Sequence, residues 1–162
     1  MASKVNSEQF KQSMSILPTG VNIVTTIHNK KLFGFTASSF TSVSLSPPLI
    51  LFCIDKQSSS FEAFVNSTNF AVSILSQEQV GISRHFSKHN PDKFIDISYN
   101  LGVYSYCPLI SGAICHIECK RFNCHEGGDH TMVIGEVINT IINNNSEPLV
   151  YCLRKYRELK SL

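Results

Sequence analysis

The sequence predicts one mainly β domain with a few peripheral helices across residues 1–162. Several segments alternate apolar and polar residues with the period of a strand, and the apolar runs Leu49–Ile54 and Phe70–Leu75 have the length of buried strands. Short polar turns such as 28–31 separate these segments, which favours antiparallel connections. A chain of this length can bury about 70% of its unfolded surface, so it needs no disulfide or metal to fold.

The first predicted element is a helix over residues 7–17, with Ser7 as its N-cap. Pro18 ends this helix, because proline lacks the backbone N–H that a continuing helix requires. One side of the helix carries three apolar residues at helical spacing, namely Phe10, Met14 and Leu17.

Strand patterns follow in the first half of the chain. Residues 20–27 alternate with the period of a strand, 28–31 have turn composition, and 32–45 continue in strand-forming residues. The sequence Ser46-Pro47-Pro48 interrupts this region, because consecutive prolines cannot donate to a β ladder. The apolar run 49–54 that comes next is expected to have both faces covered.

The second half predicts two helices among further strands. A short helix is predicted over 58–67, and a buried strand over 70–75 comes after it. A capping box, Ser76-Gln77-Glu78-Gln79, opens the next helix, which runs towards Phe86. The other segments are predicted as a loop with a possible short strand over 89–107, strands over 113–122 and 131–142, a turn over 143–148, a strand over 149–153 and a short terminal helix over 154–162.

The bulk properties argue against several classes of partner. The net charge is only +2, and the basic stretch at 153–160 is short, so neither nucleic acid nor an anionic membrane is an expected partner. The first ten residues lack the apolar core of a secretory signal, and no apolar run of 18 residues occurs. We therefore expect a cytoplasmic protein whose six cysteines are mostly reduced.

Two separated segments concentrate small hydroxyl residues that could bind an anion. Ser58–Ser60 precede a predicted helix, where free backbone N–H groups and the helix dipole favour negative charge, and Lys56 stands just before them. Thr36–Ser39 would supply hydroxyls and backbone donors from a neighbouring strand. This combination suits a single phosphate attached to a planar heterocycle. Neither a P-loop nor a G-x-G-x-x-G fingerprint occurs, so the usual dinucleotide fold is not expected.

Other chemistries have weaker support in the sequence. Strand alternation places Cys115 and Cys119 on one face and His116 on the other, and there is no C-x-x-C pair, so we expect no metal site. No cysteine has an evident activating partner, and no G-x-S-x-G elbow supports a serine hydrolase. The full set of residues that suggests zinc is Cys115, His116, Cys119, Cys124, His125 and His130.

A family resemblance covers nearly the whole chain. Six segments occur in one order, "FKQSMSILPTGVNIVTT", "GFTASSFTSVSLSPPLILFCIDKQSSS", "FAVSILSQEQ", "HFS", "GDHTMVIGEV" and "PLVYCLRKYREL". Together they resemble the flavin reductase-like family, which includes the small reductase components of two-component flavin monooxygenases. The resemblance implies an FMN-binding split β-barrel of Greek-key type that forms a homodimer. It also implies one flavin per subunit, FMN or FAD, and NADH or NADPH as the reductant.

The resemblance assigns roles to particular residues. Thr36–Ser39 would line the isoalloxazine ring and ribityl chain, and the region Cys53–Lys56 would hold the ribityl chain and phosphate together with Ser59 and Ser60. His130 would lie beside the incoming nicotinamide as the catalytic position. The full set implied for the site is Thr36, Ala37, Ser38, Ser39, Ser44, Cys53, Ile54, Asp55, Lys56, Ser59, Ser60, His85, Phe86, Asp129, His130 and Tyr151.

The expected reaction is hydride transfer from a reduced nicotinamide to flavin, with reduced flavin passed to a transient monooxygenase partner. Such a reaction needs orientation rather than a side-chain nucleophile, which agrees with a sequence that offers binding segments and no triad. Two alternatives remain at this stage: a flavin-binding electron carrier with little nicotinamide activity, and a split barrel that binds another planar ligand such as haem. His130 and Asp129 are either nicotinamide-site residues or turn residues only.

Overall fold

The computed structural model describes residues 5–143 and 146–160. Three α-helices lie in these ranges: α1 (Ser7–Ser15), α2 (Phe61–Asn66) and α3 (Val80–Ser87). The strands of the described residues are β1 (Thr19–Gly20), β2 (Asn22–His28), β3 (Lys31–Ala37), β4 (Phe40–Leu45), β5 (Pro48–Asp55), β6 (Asn69–Ile74), β7 (Tyr99–Leu101), β8 (Pro108–Ile110), β9 (Cys115–Gly127), β10 (His130–Ile142), β11 (Val150–Cys152) and β12 (Lys155–Arg157). The mainly β prediction is confirmed.

Seven strands form one antiparallel sheet in the order β3-β2-β6-β9-β10-β5-β4. A flat sheet would separate its edge strands by about 29 Å, since neighbouring strands lie about 4.8 Å apart. Yet only Ser38 and Ser39 join the edge strands β3 and β4, and that link spans at most about 11 Å. The sheet must therefore curl into a barrel, with a seam where β3 passes into β4.

The barrel interior is filled by aromatic and branched side chains. Phe52 packs edge-on against Phe64 and Phe70, with ring centroids 5.6 and 5.1 Å apart. Phe35 closes the same cluster at 5.2 Å from Phe64. Pairs of this geometry stabilise a core beyond the area that they bury. A second cluster lies outside the barrel, where α3 and the C-terminal strands cover the other face of β2, and it comprises Val21, Ile23, Leu75, Phe86, Ile110, Ala113 and Leu149.

Helix α1 differs from its prediction in two ways. Its N-cap is Asn6 rather than Ser7, because Asn6 accepts from the Gln9 N–H while the Gln9 side chain accepts from the Asn6 N–H. That reciprocal capping box outcompetes a cap one residue later. The predicted apolar face exists, but none of its residues is buried within one chain, since Phe10 is 60% and Met14 47% exposed.

The predicted terminal helix over 154–162 is wrong over its described part. Residues 155–157 form β12, which pairs with β11 through a two-residue turn at Leu153 and Arg154. Both turn residues have positive φ, 53° and 59°, the conformation that a tight hairpin of this type requires. Such turns normally carry Asn or Gly, so Leu153 and Arg154 provide no hairpin signal in the sequence. Residues 161 and 162 lie outside the described ranges.

The other predicted elements appear with shifted bounds. The capping box at Ser76 is confirmed, but it first opens a 3-10 turn over Gln77–Gln79 and only then α3. The long loop contains two short strands, β7 and β8, and the predicted strands near 113–122 and 131–142 extend into the β9–β10 hairpin. Residues 144 and 145 of the predicted turn lie outside the described ranges. In the described part of the chain, no helix has the length and apolar character to cross a bilayer.

Candidate functional site

A cleft of about 450 Å³ opens at the barrel seam. It brings together the end of β3, the end of β5, the loop before α2, the C-terminal end of α3 and the tip of the β9–β10 hairpin. The two hydroxyl segments of the sequence therefore meet in one place, as predicted: Thr36–Ser39 form one wall and Gln57–Ser59 another. The folding of the sheet, rather than sequence proximity, places them together.

The β3 wall is held in place by hydrogen bonds from two of its hydroxyl groups, those of Thr36 and Ser39. The Thr36 hydroxyl donates to the carbonyl of Ser83 on α3, at 2.7 Å. The Ser39 hydroxyl bridges the backbone of Cys53, accepting from its N–H and donating to its carbonyl, both at 3.1 Å. These bonds tie β3 to α3 and to β5. Ser38 is exposed, so its side chain is the one most open to a ligand on this wall.

The loop between β5 and α2 is a self-bonded turn. The Asp55 carboxylate accepts from the N–H of Gln57 at 2.8 Å, and the Asp55 carbonyl accepts from the N–H of Ser58. The Ser58 hydroxyl accepts from the N–H of Ser60. The free N–H groups predicted at this helix start are therefore mostly used by the turn. These hydrogen bonds fold the loop on itself, and Ser59, which is exposed, lines the cleft.

The basic groups of the cleft come from a different segment than expected. The Lys56 ammonium pairs with Glu126 on β9, and its side chain does not line the cleft. Lys88, His89 and Lys93 line the cleft instead, directly after α3. The sequence did not single out these three residues, because the stretch that follows the predicted helix has few periodic cues. The cluster of three bases within six residues behind a predicted helix was the available signal.

Lys93 is the most unusual of these bases because it is only 9% exposed. Its ammonium donates to the carbonyls of Gly34 and Phe86, at 3.1 and 2.9 Å. Burial lowers the pKa of Lys93 from its usual value. The structure records no carboxylate partner for it among the described residues, so it is a positive charge balanced only by carbonyl dipoles.

The Gly128-Asp129-His130 triplet forms the tip of the β9–β10 hairpin. Gly127 pairs with His130, so the turn has only two residues, and Gly128 sits at its first position with φ +74°. The Nδ1 atom of His130 lies 2.8 Å from an Asp129 carboxylate oxygen. This hydrogen bond and the charge of His130 lower the pKa of Asp129, which is otherwise fully exposed.

Two contacts aim this tip at the cleft. His130 pairs with Asp55 across the β10–β5 ladder, and the Lys56 N–H donates to the Asp129 carbonyl at 3.0 Å. The imidazole of His130 lines the cleft and remains about 42% exposed. It is therefore accessible to a ligand, while its Nδ1 atom contacts the exposed Asp129 carboxylate.

The predicted site residues fall into two groups. Those that line the cleft are Thr36, Ala37, Ser38, Ser39, Cys53, Ile54, Asp55, Ser59, Phe86 and His130. Those that do not are Ser44, Lys56, Ser60, His85, Asp129 and Tyr151. Of the second group, Asp129 touches His130, and the buried Ser60 lines an adjoining cavity.

Ser44 and Tyr151 are the predicted residues with the least connection to the cleft. Ser44 lies on β4, opposite Leu49, and its hydroxyl accepts from the N–H of Ser46. Tyr151 packs against Tyr156, with ring centroids 5.3 Å apart, on the C-terminal hairpin. Their roles in a flavin site stay predictions.

The cysteines and histidines of β9 serve the interior. Cys119 is fully buried in the barrel core, and His116 is buried on the other face, where its Nδ1 atom lies 3.1 Å from the Ser73 hydroxyl. Burial lowers the pKa of His116, which favours the neutral ring. In the described part of the chain, no three histidine, cysteine or carboxylate side chains converge as metal ligands would.

Comparison with known proteins agrees with this geometry. Residues 14–160 match the model of the flavin reductase like domain. An NADH-dependent FAD reductase from Streptomyces globisporus is 42% identical over 134 residues, which cover 80% of this chain and 73% of that protein. The reductase subunit of a flavin-dependent monooxygenase from Mycobacterium tuberculosis is 35% identical over 137 residues, which cover 85% of this chain and 73% of that protein.

A solved structure extends the match to the whole fold. The NADH:FAD oxidoreductase of Streptomyces globisporus, in complex with NAD and FAD fragments, superposes with a TM-score of 0.91 at 38% identity. The match covers 98% of each chain. The curled sheet, the cleft at its seam and the near-complete domain match lead to one conclusion: the chain belongs to the flavin reductase-like family.

Proposed function

We propose that this protein is an NAD(P)H:flavin oxidoreductase that transfers a hydride from reduced nicotinamide to FMN or FAD. The observation that carries the proposal is the cleft itself, where Thr36–Ser39, the β5–α2 loop and His130 meet. Family membership supports it, as does the activity of a relative from Streptomyces globisporus, which is an NADH-dependent FAD reductase.

The residues of the cleft fit a flavin. Its volume of about 450 Å³ lies within the range of small-molecule sites. The apolar residues Ala37, Ile54 and Phe35 line the cleft, while Ser38 and Ser59 offer exposed hydroxyls along its rim. A bound flavin would supply the hydride-accepting ring, so the protein has to bind and orient rather than react covalently.

The anionic tail of such a cofactor needs positive charge. Lys88 and His89 are exposed and line the cleft after α3, so they can approach a phosphate from solvent. Charge-assisted hydrogen bonds of this kind are about twice as strong as neutral ones. We therefore assign phosphate binding to this cluster together with Ser59, in place of the Lys56 ammonium that the sequence favoured.

In the proposed function, His130 orients the nicotinamide. Its ring is accessible from the cleft, and Asp129 holds Nδ1, which leaves Nε2 free to hydrogen-bond a ligand. Alignment of two rings in a reactive pose can lower a barrier by roughly 7–11 kcal/mol, so a small displacement of the nicotinamide is costly. In this role His130 positions the substrate and exchanges no proton.

Purified protein tests the proposal directly. NADH or NADPH oxidation is followed by absorbance with FMN, FAD or riboflavin added, and flavin affinity is measured separately by fluorescence quenching. We expect nicotinamide consumption that depends on added flavin. Protein that binds flavin but leaves both nicotinamides untouched would instead be an electron carrier, and protein with no affinity for any flavin would contradict both functions.

Exposed apolar residues favour a homodimer. Helix α1 buries none of its residues within one chain, and Leu45 on β4 is 96% exposed. Large exposed apolar patches commonly mark protein–protein interfaces. We infer a twofold dimer, and sedimentation equilibrium should give twice the chain mass. The Leu45→Glu variant should shift the protein towards monomer, whereas a monomer at every concentration of the unaltered protein would contradict the dimer.

A monooxygenase partner is proposed from one relative. The protein from Mycobacterium tuberculosis is the reductase subunit of a flavin-dependent monooxygenase, so reduced flavin from this chain would pass to a separate oxygenase. A cytoplasmic location is supported by six free cysteines, which are typical of a reducing compartment. The partnership is tested with a co-purified oxygenase and this protein as the sole reductase. Hydroxylation of the oxygenase's substrate would show that reduced flavin passes between them.

A further inference from the structure

The C-terminal hairpin β11–β12 is connected to the cleft through the side chain of Tyr156. The phenol oxygen of Tyr156 lies 2.9 Å from the hydroxyl of Ser83 on α3. Ser83 is only 1% exposed, and its carbonyl accepts a hydrogen bond from the Thr36 hydroxyl at 2.7 Å. Because Thr36 belongs to the cleft wall, these two contacts join the hairpin to the proposed flavin site.

Several contacts fix the hairpin and therefore the position of Tyr156. The N–H of Leu153 donates to the carbonyl of Ser15 at the end of α1, at 2.6 Å. The Tyr156 ring packs against Tyr151, with centroids 5.3 Å apart, and the Arg84 guanidinium lies 5.5 Å from the centroid of Tyr156. These ring contacts do not use the phenol oxygen, so removal of that oxygen alone leaves the packing of the ring in place.

The strand that carries Thr36 lies at one end of the seven-stranded order, where it pairs with β2. Helix α3 and the segment after it fasten this strand at two points. The Thr36 hydroxyl bonds the Ser83 carbonyl, and the Lys93 ammonium bonds the Gly34 carbonyl. A displacement of α3 would therefore move the end of β3, which forms one wall of the cleft.

The Tyr156 hydroxyl opposes such a displacement. Without it, the Ser83 hydroxyl is buried without this partner, which costs free energy. A small shift of α3 towards water or another acceptor lowers that cost, and the same shift carries the Ser83 carbonyl away from Thr36. Tyr156 itself does not line the cleft, so its effect on a ligand passes through these two residues.

We propose that Tyr156 is a positioning residue, whose hydroxyl holds Ser83 and thereby keeps the Thr36 wall in the arrangement that binds the flavin. This inference rests on the proposed function, because it concerns the affinity of the same cleft for flavin. Tyr156 and Thr36 then act as one unit. Loss of either contact weakens flavin binding, and loss of both is no worse than loss of the Thr36 contact alone.

Fluorescence quenching gives the dissociation constant of FMN for three variants and for their pairs. Tyr156→Phe removes the phenol oxygen, Ser83→Ala breaks the same contact from the other side but keeps the carbonyl, and Thr36→Val removes the hydroxyl that this carbonyl accepts. Tyr104→Phe is the matched control, because Tyr104 is exposed and does not line the cleft. Thermal unfolding checks that each variant is folded, and KM for NADH is measured at saturating FMN.

For Tyr156→Phe we expect the dissociation constant of FMN to rise about fivefold, as for the loss of one hydrogen bond. KM for NADH at saturating FMN should stay within twofold, since a general loss of stability would affect both constants. Ser83→Ala should raise the FMN constant at least twofold, and the control should leave it unchanged. The double variant Tyr156→Phe with Thr36→Val should bind FMN as Thr36→Val does.

Multiplied effects in the double variant would overturn the inference, because they would show that Tyr156 does not act through Thr36. An FMN constant within twofold in folded Tyr156→Phe would also overturn it, as would an equal rise in the control. If Tyr156→Phe does not fold, Ser83→Ala combined with Thr36→Val decides by the same comparison. Flavin binding that none of the variants changes defeats this inference alone, whereas unaltered protein without affinity for any flavin defeats the proposed function as well.

Discussion

At the scale of single residues, two hydrogen bonds orient the exposed pair Asp129 and His130 at the hairpin tip. The Asp129 carboxylate lies 2.8 Å from His130 Nδ1, and the Asp129 carbonyl accepts from the Lys56 N–H. The pKa of Asp129 is lowered by the hydrogen bond and charge of His130, so the carboxylate stays ionised well below neutral pH. An ionised Asp129 can accept a hydrogen bond from the Nδ1 atom of His130, which orients the imidazole at the cleft.

Replacement of His130 by Ala should affect NADH and not the flavin. We expect KM for NADH to rise about tenfold, because one hydrogen bond to a charged or polar ligand is lost. The dissociation constant for FMN should change less than twofold. Steady-state kinetics and fluorescence quenching provide the two measurements. His125→Ala is the matched control, because His125 is an exposed histidine on β9 that does not line the cleft. Unaltered NADH kinetics in His130→Ala would remove His130 from the site.

At the scale of elements, the β9–β10 hairpin depends on one backbone conformation. Gly128 has φ +74°, which a residue with a Cβ adopts only with strain, although the space around it is open. Packing therefore plays no part in the requirement for glycine. The two-residue turn sets the register that places His130 opposite Asp55.

The Gly128→Ala variant should lose about 1–2 kcal/mol of unfolding free energy through backbone strain alone. Because the strain falls on the turn, KM for NADH should rise while FMN affinity is kept. Urea denaturation and kinetics measure the two effects. Gly81→Ala is the control, since Gly81 also has open space but lies in α3, where alanine is the better helix former. Full stability in Gly128→Ala would show that the turn accommodates a side chain.

The long loop after α3 is fastened by one buried carboxylate. Glu118 on β9 accepts hydrogen bonds from the N–H groups of Tyr104 and Ser105, from the Ser105 hydroxyl and from the Asn139 amide. Burial by itself would raise the pKa of Glu118, but these donors outweigh it and the pKa is lowered. A Cβ on Gly102 would lie 2.2 Å from the same carboxylate, so the loop can approach only with glycine there.

Glu118→Gln should cost about 2 kcal/mol of unfolding free energy at pH 7, because it removes charge-assisted bonds. Since the folded pKa lies below the usual value, the stabilisation is present above about pH 4.5 and is lost as the pH falls. The difference between the two proteins should therefore shrink in acid, as measured by urea denaturation at several pH values. A difference that persists unchanged at low pH would contradict this account, and Glu136→Gln, on the partly exposed side of β10, is the control.

At the scale of the whole molecule, two buried thiols report on folding: Cys119 in the barrel core and Cys107 in a separate cluster with Ala71 and Leu109. Burial raises the pKa of Cys107 to about 11 and of Cys119 to about 12. Thiols of the unfolded chain ionise near pH 9, so the folded state holds more protons above that pH. The contribution of these two thiols to the unfolding free energy is therefore fully present below pH 9. It is lost as the pH rises from 9 through 11.

The unfolding free energy should decline by up to about 1.4 kcal/mol per pH unit for each buried thiol between pH 9 and 11. The Cys119→Ala variant is expected to show a shallower decline, at the cost of a small core cavity. Denaturation at pH 6–8, where neither thiol ionises, supplies the internal control. Parallel curves for the two proteins across pH 9–11 would contradict the assignment.

The sequence by itself determined the mainly β class, most strand positions and the pair of hydroxyl segments, because periodicity and turn composition are local properties. It could not determine the C-terminal hairpin, whose turn residues Leu153 and Arg154 adopt positive φ without a glycine. The sequence also does not show that Lys93 is buried. Its burial depends on hydrogen bonds to the carbonyls of Gly34 and Phe86, which only the folded chain brings close to it.

Tertiary structure alone decided which side chains face the cleft. Lys56 stands just before the hydroxyl segment Ser58–Ser60 in sequence, yet its ammonium pairs with Glu126 on β9 and does not line the cleft. Thr36–Ser39 and Ser59 meet because the short link between β3 and β4 forces a seven-stranded sheet to curl. A local pattern specifies which way a strand alternates, but only closure of the sheet specifies which strand ends become neighbours.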